Sequence, residues 1–96
     1  SREDRFSQPK AYGISDAYPN PFNPVTSFEY NMPEDGMVQV AVYDVSGRMV
    51  AELVNGYVSA GTYPVVWDAQ DLSSGVYMLH MITGEFATVQ KVMLIK

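Results

Sequence analysis

Cysteine is absent from this 96-residue chain. With it go disulfides, thiolate metal sites, cysteine nucleophiles and thiol redox switches. Histidine occurs once, at His80, whereas a zinc site draws on several such ligands. No nucleophile motif neighbours it in sequence, so His80 reads as a paired or surface side chain. Cations are scarce: 6 Lys and Arg stand against 11 Asp and Glu, giving a net charge of -5. Such a chain has no electrostatic footprint for nucleic acid or an anionic membrane surface. No segment approaches the roughly 18 consecutive apolar residues of a membrane helix, so membrane insertion is not expected. The opening residues Ser1-Arg2-Glu3-Asp4-Arg5 lack a signal-peptide core and an initiator Met, which reads as a piece of a longer protein. Neither catalysis nor a cofactor is expected from this inventory.

Apolar residues make up 47% of the chain and charged residues 18%, a globular composition. The length suits one domain, which buries roughly 65% of the surface its unfolded form exposes. Residues Ser1 to Gly13 are mostly polar and read as a linker. Tyr18-Pro19-Asn20-Pro21-Phe22-Asn23-Pro24 then concentrates three of the six prolines. Each proline fixes its own φ and disfavours the helical region for its predecessor, so this run is an extended lead-in.

Beyond it the period is two. Phe28, Tyr30 and Met32 share one face; Ser27, Glu29 and Asn31 share the other. That is a half-buried strand. Pro33-Glu34-Asp35-Gly36 signals a turn, and Val38, Val40 and Val42 alternate in the next strand. Asp44-Val45-Ser46-Gly47-Arg48 is a second turn; Met49 to Val54 is a short strand expected to end at Asn55-Gly56. Tyr63, Val65 and Trp67 share a face after Gly61, and Pro64, without a donor, predicts an edge or a bulge. Ser73-Ser74-Gly75 opens Val76 to Thr83, and Gly84-Glu85 turns into Ala87 to Ile95. Six of the seven glycines fall at these expected boundaries, which spaces the strands as in an antiparallel sandwich or small barrel. The count is six strands, or seven if the proline-rich lead-in pairs. Val40, Val42, Trp67 and Tyr77 are expected in the core. The aromatic faces of Phe28, Tyr30, Tyr63, Trp67 and Tyr77 read as core rather than as a sugar platform. Met32, Met78, Met81 and Met93 read as core filling. Asp44 with Arg48, and Asp68 with Asp71, read as turn caps rather than calcium ligands, which need 6–8 oxygens.

Taken in order, these residues are familiar. Tyr-Pro-Asn-Pro-Phe-Asn-Pro at 18–24 is followed by Phe28 to Pro33, Val42-Tyr43-Asp44-Val45-Ser46-Gly47-Arg48, and Val66-Trp67-Asp68. Ser73-Ser74-Gly75-Val76-Tyr77 and Lys91-Val92-Met93-Leu94-Ile95-Lys96 complete the series. The series resembles the type A C-terminal sorting domain of the bacterial type IX secretion system, and the related immunoglobulin-like domain of flagellar hook-capping proteins. The resemblance implies an all-β, immunoglobulin-like antiparallel β-sandwich of about seven strands, with residues 1–17 a linker and 18–96 the sorting domain. It implies a non-catalytic signal that directs a larger secreted protein, through the periplasm, to the cell surface or the medium. The implied partners are the outer-membrane secretion machinery, a sortase-like cysteine peptidase and the cargo covalently upstream. The cleavage point would lie before Tyr18. The family's recurrent elements fall on Pro19, Asn20 and Pro21, on Gly75 and Tyr77, and on Lys91 and Lys96.

Plainer readings stand beside these. The proline run is either a recognition epitope or an extended lead-in whose Asn side chains cap turns. The two lysines either dock an acidic receptor or guard an edge strand against pairing. A structural spacer or assembly module, and an accessory carbohydrate-binding module, are the rival functions.

Overall fold

The computed structural model describes residues 10–84 and 86–96. Among them the chain forms seven strands and no helix: β1 (Gly13–Ile14), β2 (Val25–Met32), β3 (Gly36–Tyr43), β4 (Met49–Val58), β5 (Gly61–Asp68), β6 (Gly75–Thr83) and β7 (Phe86–Leu94). They make two antiparallel sheets, ordered β1-β2-β5 and β4-β3-β6-β7. The all-β architecture of two antiparallel sheets is the expected one, that of a β-sandwich.

Period-two patterning explains the faces. Phe28, Tyr30 and Met32 on β2 turn inward, as do Val38, Val40 and Val42 on β3. Trp67 on β5, Tyr77, Leu79 and Met81 on β6, and Val92 and Leu94 on β7 complete the core. Each such side chain contributes roughly 1.5–3 kcal/mol by leaving water. Pro64 lies on β5, an edge strand, where its missing donor costs no ladder bond. Gly47, with φ at 89°, occupies the left-handed region that the β3–β4 hairpin requires. Gly84, φ 54°, plays the same part between β6 and β7; its expected turn partner Glu85 lies outside the described residues.

Three expectations need correction. Asn55-Gly56 is not a turn. β4 continues to Val58 because β3 offers it a partner throughout, Asn55 facing Gln39 and Gly56 facing Val38. The chain instead turns at Ser59 and Ala60 and crosses to the other sheet. Met78 and Met93 are not core. They point outward from β6 and β7, and Met93 is 37% exposed, while Met32 and Met81 are fully buried. Tyr63 is only half-buried, its ring stacked 5.2 Å from that of Tyr30.

The seventh strand is β1, which pairs Gly13 with Asn31 and Ile14 with Tyr30. It lies upstream of the proline run. The run itself forms isolated bridges, Tyr18 to Ser27 and, in parallel, Phe22 to Leu94. Its three X–Pro bonds are cis.

Candidate functional site

The lead-in from Ser15 to Phe22 is a strap laid along the outer edge of β7. The Ala17 amide donates to Gln90 Oε1 at 2.7 Å, and Gln90 Nε2 donates back to the Ser15 carbonyl at 2.9 Å. Asn20 then grips the backbone of β7. Its Nδ2 donates to the Lys91 carbonyl at 3.2 Å, and its Oδ1 accepts the Met93 amide at 3.0 Å. Phe22 donates its amide to the Met93 carbonyl and accepts the Ile95 amide, both at 2.9 Å. The side chains anchor what the backbone pairs: Phe22 is buried and its ring lies 5.2 Å from Trp67. The β7 edge is therefore covered over its C-terminal half, from the Lys91 carbonyl to the Ile95 amide. A terminal strand with an open edge, the setting for either lysine reading, is not what the fold presents there.

The flanking prolines take different places. The Pro19 carbonyl accepts the hydroxyl of buried Thr26 at 2.7 Å, which fixes the strap to β2 as well. Pro21 is exposed between Asn20 and Phe22, where its lack of a donor leaves nothing unsatisfied. Tyr18, the residue before the run, is 80% exposed.

Gly75 and Tyr77 lie on β6, directly opposite Leu94 and Val92 of β7. Tyr77 is not a surface residue. Its ring packs edge-on to Trp67 at 6.0 Å, and its hydroxyl donates to the Ser73 carbonyl at 2.6 Å. A tyrosine bonded back to the corner before its own strand is the corner device of immunoglobulin-type sandwiches. Both Gly75 and Tyr77 thus shape the β5–β6 corner.

The two lysines differ. Lys96 is tied to that corner: its Nζ donates to the Gln70 and Leu72 carbonyls, and its amide donates to Ser74 Oγ at 2.9 Å. Lys91 projects from the outer face of β7 opposite Met78, and among the described residues its ammonium meets no carboxylate.

The seven candidate residues, spread from 19 to 96 in sequence, so gather around the β5–β6 corner and the strap side of β7. Ser15, Ala17, Phe22 and Gln90 belong to the same assembly and were missed. No local pattern marks them, because each partner lies more than 70 residues away in sequence.

Asp44 and Asp68 have structural partners. Asp44 Oδ1 accepts the Ser46 amide, the Ser46 hydroxyl and the Arg48 amide, and Arg48 Nε approaches Oδ2 at 3.4 Å. These contacts, the Ser46 hydroxyl foremost, hold the Asp44 carboxyl below the usual aspartate range. Asp68 Oδ1 accepts the Gln70 amide at 3.0 Å. Both are turn caps, and among the described residues no three His, Asp or Glu side chains gather as a metal site would require. His80 packs its ring 4.6 Å from Tyr43 on the outer sheet face. Phe28, Tyr30, Trp67 and Tyr77 are buried and so present no flat aromatic row to a sugar.

What remains is a sandwich whose distinctive features are a last strand half covered by the strap and a tied-down corner. The chain belongs to the family described as the secretion system C-terminal sorting domain, which matches residues 16–96. Domains of this family are non-catalytic C-terminal sorting signals for type IX secretion, carried by a cargo protein that is exported to the surface or beyond. A search among curated proteins found no match.

Proposed function

We propose that this domain works by presenting a shaped surface and performs no chemistry of its own. The outer-membrane machinery reads it as a folded sandwich, after its cargo has reached the periplasm by an ordinary signal peptide. Pro19, Asn20, Pro21, Gly75, Tyr77, Lys91 and Lys96 are the recognition set. Within it, Asn20, Gly75, Tyr77 and Lys96 build the surface, and Pro19, Pro21 and Lys91 are open to contact. The observation that carries this reading is the convergence of distant residues on one side of β7 and one corner.

Residues 18–96 carry the sorting signal, and the joint to the cargo lies within 1–17. A sortase-like cysteine peptidase cuts in that joint, upstream of Tyr12. Support comes from Gly13 and Ile14, which pair with β2, and from buried Ala17; a cut among them would have to open a sheet.

The test is export of a reporter. A signal peptide and fluorescent protein are fused before the 96-residue chain, in a host with type IX machinery, beside a version that stops at Gly84. Reporter outside the cell with the full chain alone is expected. Reporter retained by both, with the full domain shown to be folded, overturns the reading in favour of a structural spacer.

A further inference from the structure

The two outer faces of the sandwich differ in their share of apolar residues. On the three-stranded sheet the outward residues of β2 and β5 are mostly polar, Ser27, Glu29, Asn31, Thr62 and Asp68, with Val25, Pro64 and Val66 exposed among them. On β6 and β7 the outward positions are largely apolar. Met78 faces Lys91, His80 faces Val89, Ile82 faces Ala87 and Val76 faces Met93. Val89 is 50% exposed, Ile82 42% and Met93 37%. The inward side of β7 ends in buried Val92 and Leu94, so beyond Lys91 the strand is apolar on both sides. That pattern belongs to strands covered on both faces, yet here only one face is covered.

We infer that the outer face of β6–β7, around Met78, His80, Ile82, Val89, Lys91 and Met93, docks a partner protein whose matching surface is apolar and carries a carboxylate opposite Lys91. The inference rests on the sorting reading and names the surface through which it acts. Three observations select this occupant. Lys91 is the cation among these six residues, in a chain of net charge -5, so a carboxylate is the complementary charge. A second copy stacked face to face about Lys91 would set two ammonium groups against each other. An anionic lipid surface is opposed by the chain's net charge. The strap meanwhile occupies the β7 edge from Lys91 to Ile95, beside Lys91 and Met93, so over that stretch a partner meets the strand through its side-chain face rather than by strand addition.

The experiment uses the same reporter fusion with Val89→Ser/Met93→Ser, Lys91→Glu, Lys91→Arg and, as control, Val66→Ser on the outer side of β5. The double variant and Lys91→Glu are expected to lower export about tenfold or more, the equivalent of roughly 1.4 kcal/mol of binding. Lys91→Arg and Val66→Ser should export like the parent. Thermal melts of the purified chains should coincide, since every changed side chain is exposed. Parent and double variant exported alike overturns the inference and leaves the sorting reading standing. A parent chain that is not exported removes the sorting reading itself. Sedimentation should show a monomer; a dimer dispersed by Val89→Ser/Met93→Ser would make a second copy the occupant and overturn the proposal. So would flotation with phosphatidylglycerol vesicles that Lys91→Glu abolishes.

Discussion

The four-stranded sheet has two edges, and the chain treats them differently. At β4 protection is local. Register shifts between Val40 and Ala41 and between Val42 and Tyr43 bend the β3–β4 pairing, and Glu52 and Asn55 set polar side chains along it. Bulges and charges of this kind discourage pairing with a stranger. At β7 protection is remote: a segment about 70 residues earlier in the chain lies down and satisfies backbone groups between Lys91 and Ile95. A bent edge is merely unattractive; a covered edge is occupied. The difference teaches that the C-terminal half of β7 is held in one form by a remote segment, whereas β4 is protected only by its own bends and side chains.

The strongest way to break this contrast is Phe22→Ala. It removes a buried ring from against Trp67 and unseats the strap, with an expected loss of about 3–4 kcal/mol in urea unfolding. Tyr57→Ala on β4, 69% exposed, should stay within about 0.5 kcal/mol. Asn20→Ala comes next. Two hydrogen bonds to β7 are lost, for about 1–2 kcal/mol, and the Met93 amide should exchange with deuterium much faster. Exchange along β4 should not change. Lys96→Met is smaller still, about 0.5–1 kcal/mol, because the Gln70 and Leu72 carbonyls it leaves can turn to water.

Acid sharpens the contrast last and least. The strap is held by neutral amides, whereas the β3–β4 hairpin leans on ionised Asp44. With its folded pKa depressed, Asp44 lends stability above the ordinary aspartate value of about 3.9, and the contribution fades as pH falls through the lower folded value. Asp44→Asn should flatten the acid limb of a pH–stability curve while Asn20→Ala leaves its shape alone.

How much of this was legible in the sequence follows from the range of each interaction. Strands with strict alternation, such as Phe28 to Met32, announce themselves because two neighbouring residues suffice to define a face. Pro64 foretold its edge because a missing donor is a property of the residue alone. Asn55-Gly56 misled because a strong turn dipeptide was weighed without the partner strand; β3 was long enough to carry β4 past it. Met78 and Met93 misled because apolarity was equated with burial, although on β6 and β7 it marks the open face. The strap was visible only as an extended proline run. That Asn20 would reach the backbone of β7 depends on the fold bringing the two together, and no local rule encodes it. Of the candidate set, the neighbourhood of Gly75, Tyr77 and Lys96 could be argued from strand order; the tie between Asn20 and Lys91 could not.

The parallel pairing of Phe22 with β7 also sets how the domain meets force. A pull on the chain upstream of Tyr12, against a grip on the far end of β7, draws strap and strand past each other along their common axis. The Phe22–Met93 and Ile95–Phe22 bonds and the two bonds of Asn20 are then loaded together instead of parting one after another. A cargo dragged by this domain hangs from a joint strained in shear.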